Sequence, residues 1–291
     1  MNRQSAFAVA CAVSATAALG VVASPVGAFT LAPGATIFTA PVSLDNFLDQ
    51  VVNPDGSIGW VANDNAFQVD DKIFHEFVFQ TACQAPGTPG SLTCDDIKDL
   101  PAVARPIGPT NPADITVGGS SNQLSLDSGH GLLFNDFWKA DAGWGYDLAL
   151  GFDVHIVEGS NKYIKDAHLG FVPEPVLDQG VITISEKITD PVTGVSLLDD
   201  NLFVDNLTST VDGTEDWVDL IYPVKKLRVL KNIRLSGVDD LNPLLLEDAE
   251  ASVIIQEFSQ TVPEPGAVTG LLAIGSLSVG AMLKRHFGKK A

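Results

Sequence analysis

The chain has 291 residues and a formal net charge of −19, with 36 Asp+Glu against 17 Lys+Arg. A surface this acidic repels phosphate backbones and anionic lipid, which excludes nucleic-acid binding. Five of the basic residues (Arg3, Lys284, Arg285, Lys289 and Lys290) sit in the two end segments, so the stretch between them is more acidic still.

The N-terminus reads as a targeting segment. Arg3 supplies a positive start, Ala6 to Val22 is apolar and Ala-rich, and Val26-Gly27-Ala28 places small residues where a signal peptidase cuts. Residues 1–28 are therefore expected to be a signal peptide, cleaved between Ala28 and Phe29 after Sec export. Cys11 follows Ala8-Val9-Ala10, a poor lipobox, so lipidation is not expected. With the leader removed, Cys83 and Cys94 remain, and they bracket a loop rich in Gly and Pro. An even pair in an oxidising compartment predicts a disulfide. Closing a loop this short stabilises by about 2–3 kcal/mol in the chain-entropy picture.

Residues 29–261 are expected to fold as one all-β domain, an antiparallel β-sandwich. A short helix is predicted over Val42 to Val51, with Ser43 as cap and Leu44, Phe47, Leu48 and Val51 on one face. Strands are predicted at Lys72 to Gln80, Gly131 to Phe137, Gly145 to Glu158, Tyr163 to Phe171 and Gly180 to Thr189. Four more follow at Leu202 to Ser209, Trp217 to Tyr222, Leu227 to Leu235 and Ala251 to Ser259. Gly145 to Glu158 alternates most clearly. Tyr146, Leu148, Leu150, Phe152, Val154 and Ile156 share one face, the mark of a half-buried strand. Ala104 to Asn122, rich in Pro, Gly, Ser and Asn, reads as a long loop. Asp190-Pro191-Val192-Thr193-Gly194 reads as a hairpin turn.

Chemistry is harder to find. No Gly-x-Ser-x-Gly elbow occurs between the end segments. Adjacent carboxylates such as Asp70-Asp71, Asp95-Asp96, Asp199-Asp200 and Asp239-Asp240 point to opposite faces of a strand, which suits a glycosidase pair poorly. The expectation is a non-enzyme without a cofactor. No metal site is assigned, although Asn63-Asp64-Asn65 near Asp70-Asp71, and Asp199-Asp200-Asn201 near Asp205, offer hard oxygen ligands that suit calcium. His75, His130, His155 and His168 show no zinc spacing. Trp138, Trp144 and Tyr146 lie close in sequence and could stack on sugars, or fill a core. Lys225, Lys226, Arg228, Lys231 and Arg234 form a basic cluster, expected to be the solvated face of a strand.

The C-terminal thirty residues carry the strongest signal. Val262-Pro263-Glu264-Pro265 is followed by an uncharged stretch from Gly266 to Leu283, then by a basic end containing Lys284, Arg285, Lys289 and Lys290. The 18 residues 266–283 give about 27 Å of helix, close to a hydrocarbon core of about 30 Å. The basic residues 284–291 are expected in the cytoplasm and the ectodomain outside the inner membrane. Val172-Pro173-Glu174-Pro175 repeats the tetrapeptide without a span or a basic stop, so it reads as a surface turn.

Motif, span and basic cluster in this order resemble the PEP-CTERM family of surface proteins from Gram-negative bacteria that make extracellular polysaccharide. The resemblance covers residues 262–291. It implies recognition of the tail by exosortase, a membrane-embedded Cys protease-transpeptidase, with Val262, Pro263, Glu264 and Pro265 as substrate residues. Loose similarities in the middle (Asp71-Lys72-Ile73-Phe74, Lys165-Asp166-Ala167-His168-Leu169, Ala251 to Gln260) resemble ectodomains found ahead of such tails. They imply a sandwich with no known active site. The expectation is thus a secreted or cell-surface protein, structural or adhesive. The alternative is a glycan-binding module, with extracellular polysaccharide as partner and a structural calcium site.

Overall fold

The computed structural model describes residues 31–54, 58–85, 97, 100, 105–124, 129–173, 180–206, 214–239 and 246–262. The signal peptide, Cys94 and everything from Pro263 onward lie outside them. The first strands in chain order are β1 (Ile37–Phe38), β2 (Val42–Ser43), β3 (Leu48–Val52), β4 (Ile58–Ala62), β5 (Ala66–Val69), β6 (Lys72–Gln84) and β7 (Ile107–Gly108). The central ones are β8 (Thr116–Ser121), β9 (His130–Ala140), β10 (Gly145–Ile156), β11 (Tyr163–Pro173), β12 (Val181–Thr189) and β13 (Leu202–Asp205). The last are β14 (Glu215–Val224), β15 (Lys226–Ser236), β16 (Val238–Asp239), β17 (Leu246–Glu247), β18 (Ala249–Phe258) and β19 (Gln260–Thr261).

These strands build two large sheets. The first runs β1-β5-β6-β10-β15-β12-β13; the second runs β14-β11-β18-β9-β8-β2, with β19 on β11 and β7 on β9. Pairing is antiparallel throughout the centre of both, while β1 runs parallel to β5 at one edge. The inner faces meet in one core, because strands with period-two patterning must bury their apolar side against another layer. Phe152 of β10 is the hub. Its ring lies 5.8 Å from Phe74 and 5.9 Å from Phe77 in its own sheet, and 5.9 Å from Phe134 in the opposite one. Phe258 of the second sheet meets Phe74 at 6.4 Å.

The β10 alternation predicted from sequence is buried as expected at Tyr146, Leu148, Leu150, Phe152, Val154 and Ile156. A bulge in β6 shapes the same region. Register slips between Gly151 and Asp153, and Glu76 opposite takes φ +53°. The extra residue lets Phe74 and Phe77, three apart, both reach the core.

Two expectations are corrected. The helix over Val42 to Val51 is a single 3-10 turn, Leu44–Phe47, which then becomes β3. Leu44, Phe47 and Leu48 are buried as the helical spacing required, but Val51 and Val52 are β-branched and pair with Gly59 and Ile58 of β4. Ser43 makes no side-chain cap; its hydroxyl bonds Asp45 Oδ1 instead. The long loop over Ala104 to Asn122 contains β7, a 3-10 turn at Pro112–Asp114, and β8, which pairs with β9 from Thr116 to Ser121. Its Gly118-Gly119 hides the strand from propensity. At Gly119 a Cβ would stand 3.3 Å from Val69, so the small residue admits the edge of the other sheet.

The Asp190 turn forms as expected. Asp190 Oδ1 accepts from the Val192 and Thr193 amides at 2.9 and 2.8 Å, and Gly194 takes φ +70°. Val172 and Pro173 end β11, while Glu174 and Pro175 lie outside the described residues.

Candidate functional site

Of the sorting residues, Val262 alone is described; it is 46% exposed and follows β19 directly. Gln260 and Thr261 pair with Ile164 and Tyr163 of β11, so the chain is held to the second sheet up to one residue before the Pro263 motif. Pro263, Glu264, Pro265, the 266–283 stretch, Lys284, Arg285, Lys289 and Lys290 lie outside the described residues, as do Ala28 and Phe29. Among the described residues no helix is long and apolar enough to cross a membrane. Cys83, near the end of β6, is disulfide-bonded.

The exit point is braced by charge. Gln260 Nε2 donates to Asp71 Oδ1 at 2.7 Å, and Lys162 Nζ lies 3.2 Å from Asp71 and 3.6 Å from Asp70. Burial pushes Asp71 up, but the Gln260 bond and the Lys72 and Lys162 charges outweigh it and hold the carboxyl low. Lys72 is fully buried 3.8 Å from Asp71, and burial pushes its amine down to about 8. Lys225 Nζ donates to the carbonyls of Ser160 and Lys162 and sits over the Tyr163 ring.

The outer face of the second sheet carries a row that sequence reasoning missed. Register places Ser120, Gly131, Glu257, His168 and Trp217 side by side across five strands. Glu257 is buried and accepts from the Ser120 hydroxyl, the Gln123 amide at 2.9 Å and the Leu124 amide at 3.3 Å. Residues 121–124 thereby fold over this face. Gly131 makes the close approach possible, since a Cβ there would fall 1.7 Å from the Gln256 carbonyl oxygen.

Beside the row, His168 Nε2 lies 2.9 Å from Asp166 Oδ1, and Asp166 accepts from both the amide and the hydroxyl of Ser259. Burial pushes Asp166 up, but the His168 and Ser259 bonds outweigh it and hold it well below the usual carboxylate range. Serine, aspartate and histidine meet here in the wrong order for a nucleophile. The carboxylate stands between hydroxyl and ring, so the imidazole cannot take the hydroxyl proton. The group instead satisfies the Ser259 amide where the β11 register slips between its β18 and β19 partners.

A third cluster lies between the sheets. On β15, Leu227, Val229, Lys231, Ile233 and Leu235 point inward, and Lys231 is fully buried. Its register partner on β12 is Glu186, also inward and buried. From the opposite sheet Gln256 of β18 reaches the same point. Lys231 Nζ contacts Glu186 Oε2 and Gln256 Oε1. Burial pushes the Lys231 amine down and the Glu186 carboxyl up, each against the pull of its partner. Lys231 is thus removed from the expected solvated basic face. Arg228 stays on the outer face, bonded to Asp153 at 2.6 and 2.9 Å.

The remaining candidates are placed as follows. Trp138, Trp144 and Tyr146 are core residues, so they offer no sugar-stacking platform. Trp138 Nε1 donates to the Phe134 carbonyl and the Tyr146 hydroxyl to that of Pro109. Asn63 and Asn65 tie loops together through the Asn46 carbonyl. His75 and His155 meet edge to face at 4.7 Å beside Asp153, and His130 lies 3.9 Å from Asp70. Among the described residues no group of three His, Cys, Asp or Glu could hold a metal ion.

No family model and no curated protein matches this chain. Among solved structures, the enzymatically active domain of tailspike protein 4 from bacteriophage CBA120 is similar at 11% identity, with a TM-score of 0.26. The match covers 63% of this chain and 19% of that one. A likeness this slight carries no argument about fold or activity.

Proposed function

We propose that this chain is an exported cell-surface or matrix protein, processed by an exosortase-type enzyme through its C-terminal tail, whose ectodomain is structural or adhesive rather than catalytic. One observation carries the proposal: Val262-Pro263-Glu264-Pro265, an uncharged stretch of helix-spanning length and a terminal basic cluster occur in that order. The disulfide at Cys83 supports an oxidising compartment, with Cys94 as its proposed partner. Some of the residues weighed for chemistry are occupied in holding the fold: Trp138, Trp144 and Tyr146 in the core, Asn63 and Asn65 in loop contacts.

Replacing Pro263-Glu264-Pro265 by alanines is expected to leave an unprocessed, membrane-held chain, whereas the same change at Pro173-Glu174-Pro175 leaves processing intact. Immunoblots of membrane and extracellular fractions read the outcome. Equal processing of both variants would defeat the proposal.

A second reading, a glycan-binding module, has one observation in its favour. Trp217 on edge strand β14 is 55% exposed while its ring stacks on His168. An aromatic face held flat in this way suits a sugar ring. On that reading, Trp217→Ala abolishes retention on a glycan array that holds the wild type, with or without chelator. An array that retains neither protein counts against it.

A further inference from the structure

We propose that Lys231 and Gln256 become joined by an intramolecular amide bond, Nζ to Cδ, which ties β15 of one sheet to β18 of the other, with Glu186 as the proton carrier. The three side chains occupy inward positions on strands whose other inward residues are Leu, Val, Ile, Ala and Phe. The amine touches both the carboxamide and the carboxylate. Contact of this kind, fixed by two sheets, turns a sluggish bimolecular reaction into an intramolecular one.

The surroundings also set the protonation states. An apolar core disfavours charge, so a proton shared between Lys231 and Glu186 is driven toward the carboxyl. That leaves a neutral amine, the nucleophilic form, and a neutral acid beside the carboxamide. The directions given above for Lys231 and Glu186 agree. The amine nitrogen attacks Cδ of Gln256 and a new C–N bond forms. Glu186 protonates the departing nitrogen and recovers a proton from the attacking one. The bond from Cδ to Nε2 breaks, and Nε2 leaves as ammonia. One primary amine and one primary amide become one secondary amide and ammonia. Glu186 ends as it began, and no oxidant or energy source is consumed.

The unjoined arrangement is poorly satisfied. The Gln256 carboxamide approaches Glu186 closely enough to act on its titration, yet Gln256 Nε2 and Glu186 Oε1 reach no hydrogen-bond partner of good geometry. A partly satisfied buried network is costly. Amide formation expels the orphan Nε2 and turns the amine into an amide nitrogen that takes up no proton, while the new N–H remains beside Glu186. A plain ion pair provides neither relief.

The test is peptide mapping of the purified full-length wild-type chain by tandem mass spectrometry after reduction of its disulfide. The expected result is a branched peptide joining the Lys231 and Gln256 segments, lighter than their sum by one ammonia, with no tryptic cleavage after Lys231. Recovery of Lys231 as a free amine, with Gln256 at full mass, would overturn the proposal. So would a branch to Glu186 with loss of water. Glu186→Gln is expected to leave both side chains unreacted, and a branch that persists in this variant removes Glu186 from the chemistry. Whether the bond forms is decided on the wild-type chain, so a variant that fails to fold does not blur the result. Processing of the tail is untouched by either outcome.

Discussion

Phe152→Ala is expected to cost about 3–5 kcal/mol of unfolding free energy, the range for losing a fully buried aromatic ring. Phe152 is 1% exposed and sits where rings from both sheets converge, Phe74 and Phe77 from one and Phe134 from the other. The lost term has two parts. Apolar surface is no longer withdrawn from water, and the cavity cannot close, because three rings anchored on strands of both sheets would have to move together. Val78→Ala, on the neighbouring strand but 44% exposed, is expected to change stability by no more than about 0.5 kcal/mol. Urea denaturation of both variants in the same covalent state checks this. The midpoint should fall for Phe152→Ala with an unchanged slope. A loss smaller than about 1 kcal/mol would mean that the two sheets do not meet at this residue.

Period-two patterning made most of the fold legible. It located β6, β9, β10, β11, β12, β15 and β18 to within a few residues. It also contained the Lys231 cluster, although residue type pulled the other way. Leu227, Val229, Ile233 and Leu235 put Lys231 on the apolar face, and Ile182, Ile184 and Ile188 do the same for Glu186. Charge usually goes to water, and that expectation outweighs the alternation, which places Lys231 inside. In other places the signal was absent. Gly118-Gly119 carries no strand propensity, and Gly119 is small where Val69 comes close. Leu44, Phe47 and Leu48 fit one helical turn equally well whether or not a helix continues. The burial of Glu257 depends on backbone amides from residues 123 and 124, more than a hundred positions earlier. No local pattern encodes that meeting.

Two buried groups are expected to give opposite pH dependences across the same window. His75 is pushed down to about 4, chiefly by burial, then by the His155 ring and Arg228, with Asp153 opposing. An unfolded histidine titrates near about 6.5. The stability it contributes is therefore complete above that pH and is lost as pH falls toward its folded value. Asp136 is pushed up to about 6, chiefly by burial and then by Asp114, against the Phe137 amide and Arg105. Its Oδ2 is buried with no hydrogen-bond partner. The stability of its protonated form is complete below about 3.8 and is lost as pH rises through the folded value. Each effect is on the order of 2–3 kcal/mol, so in the wild type they largely cancel. Asp136→Asn keeps the Phe137 amide bond and abolishes the titration. Relative to wild type it should gain stability as pH rises from about 4 to 7. His75→Gln should gain relative to wild type as pH falls over the same range. His155 is held below its ordinary value by burial and is present in both chains, so it affects the size of the difference but not its sign. Denaturant titrations at steps across this window measure both differences. Parallel curves for a variant and the wild type would show that the substituted group does not change protonation on unfolding.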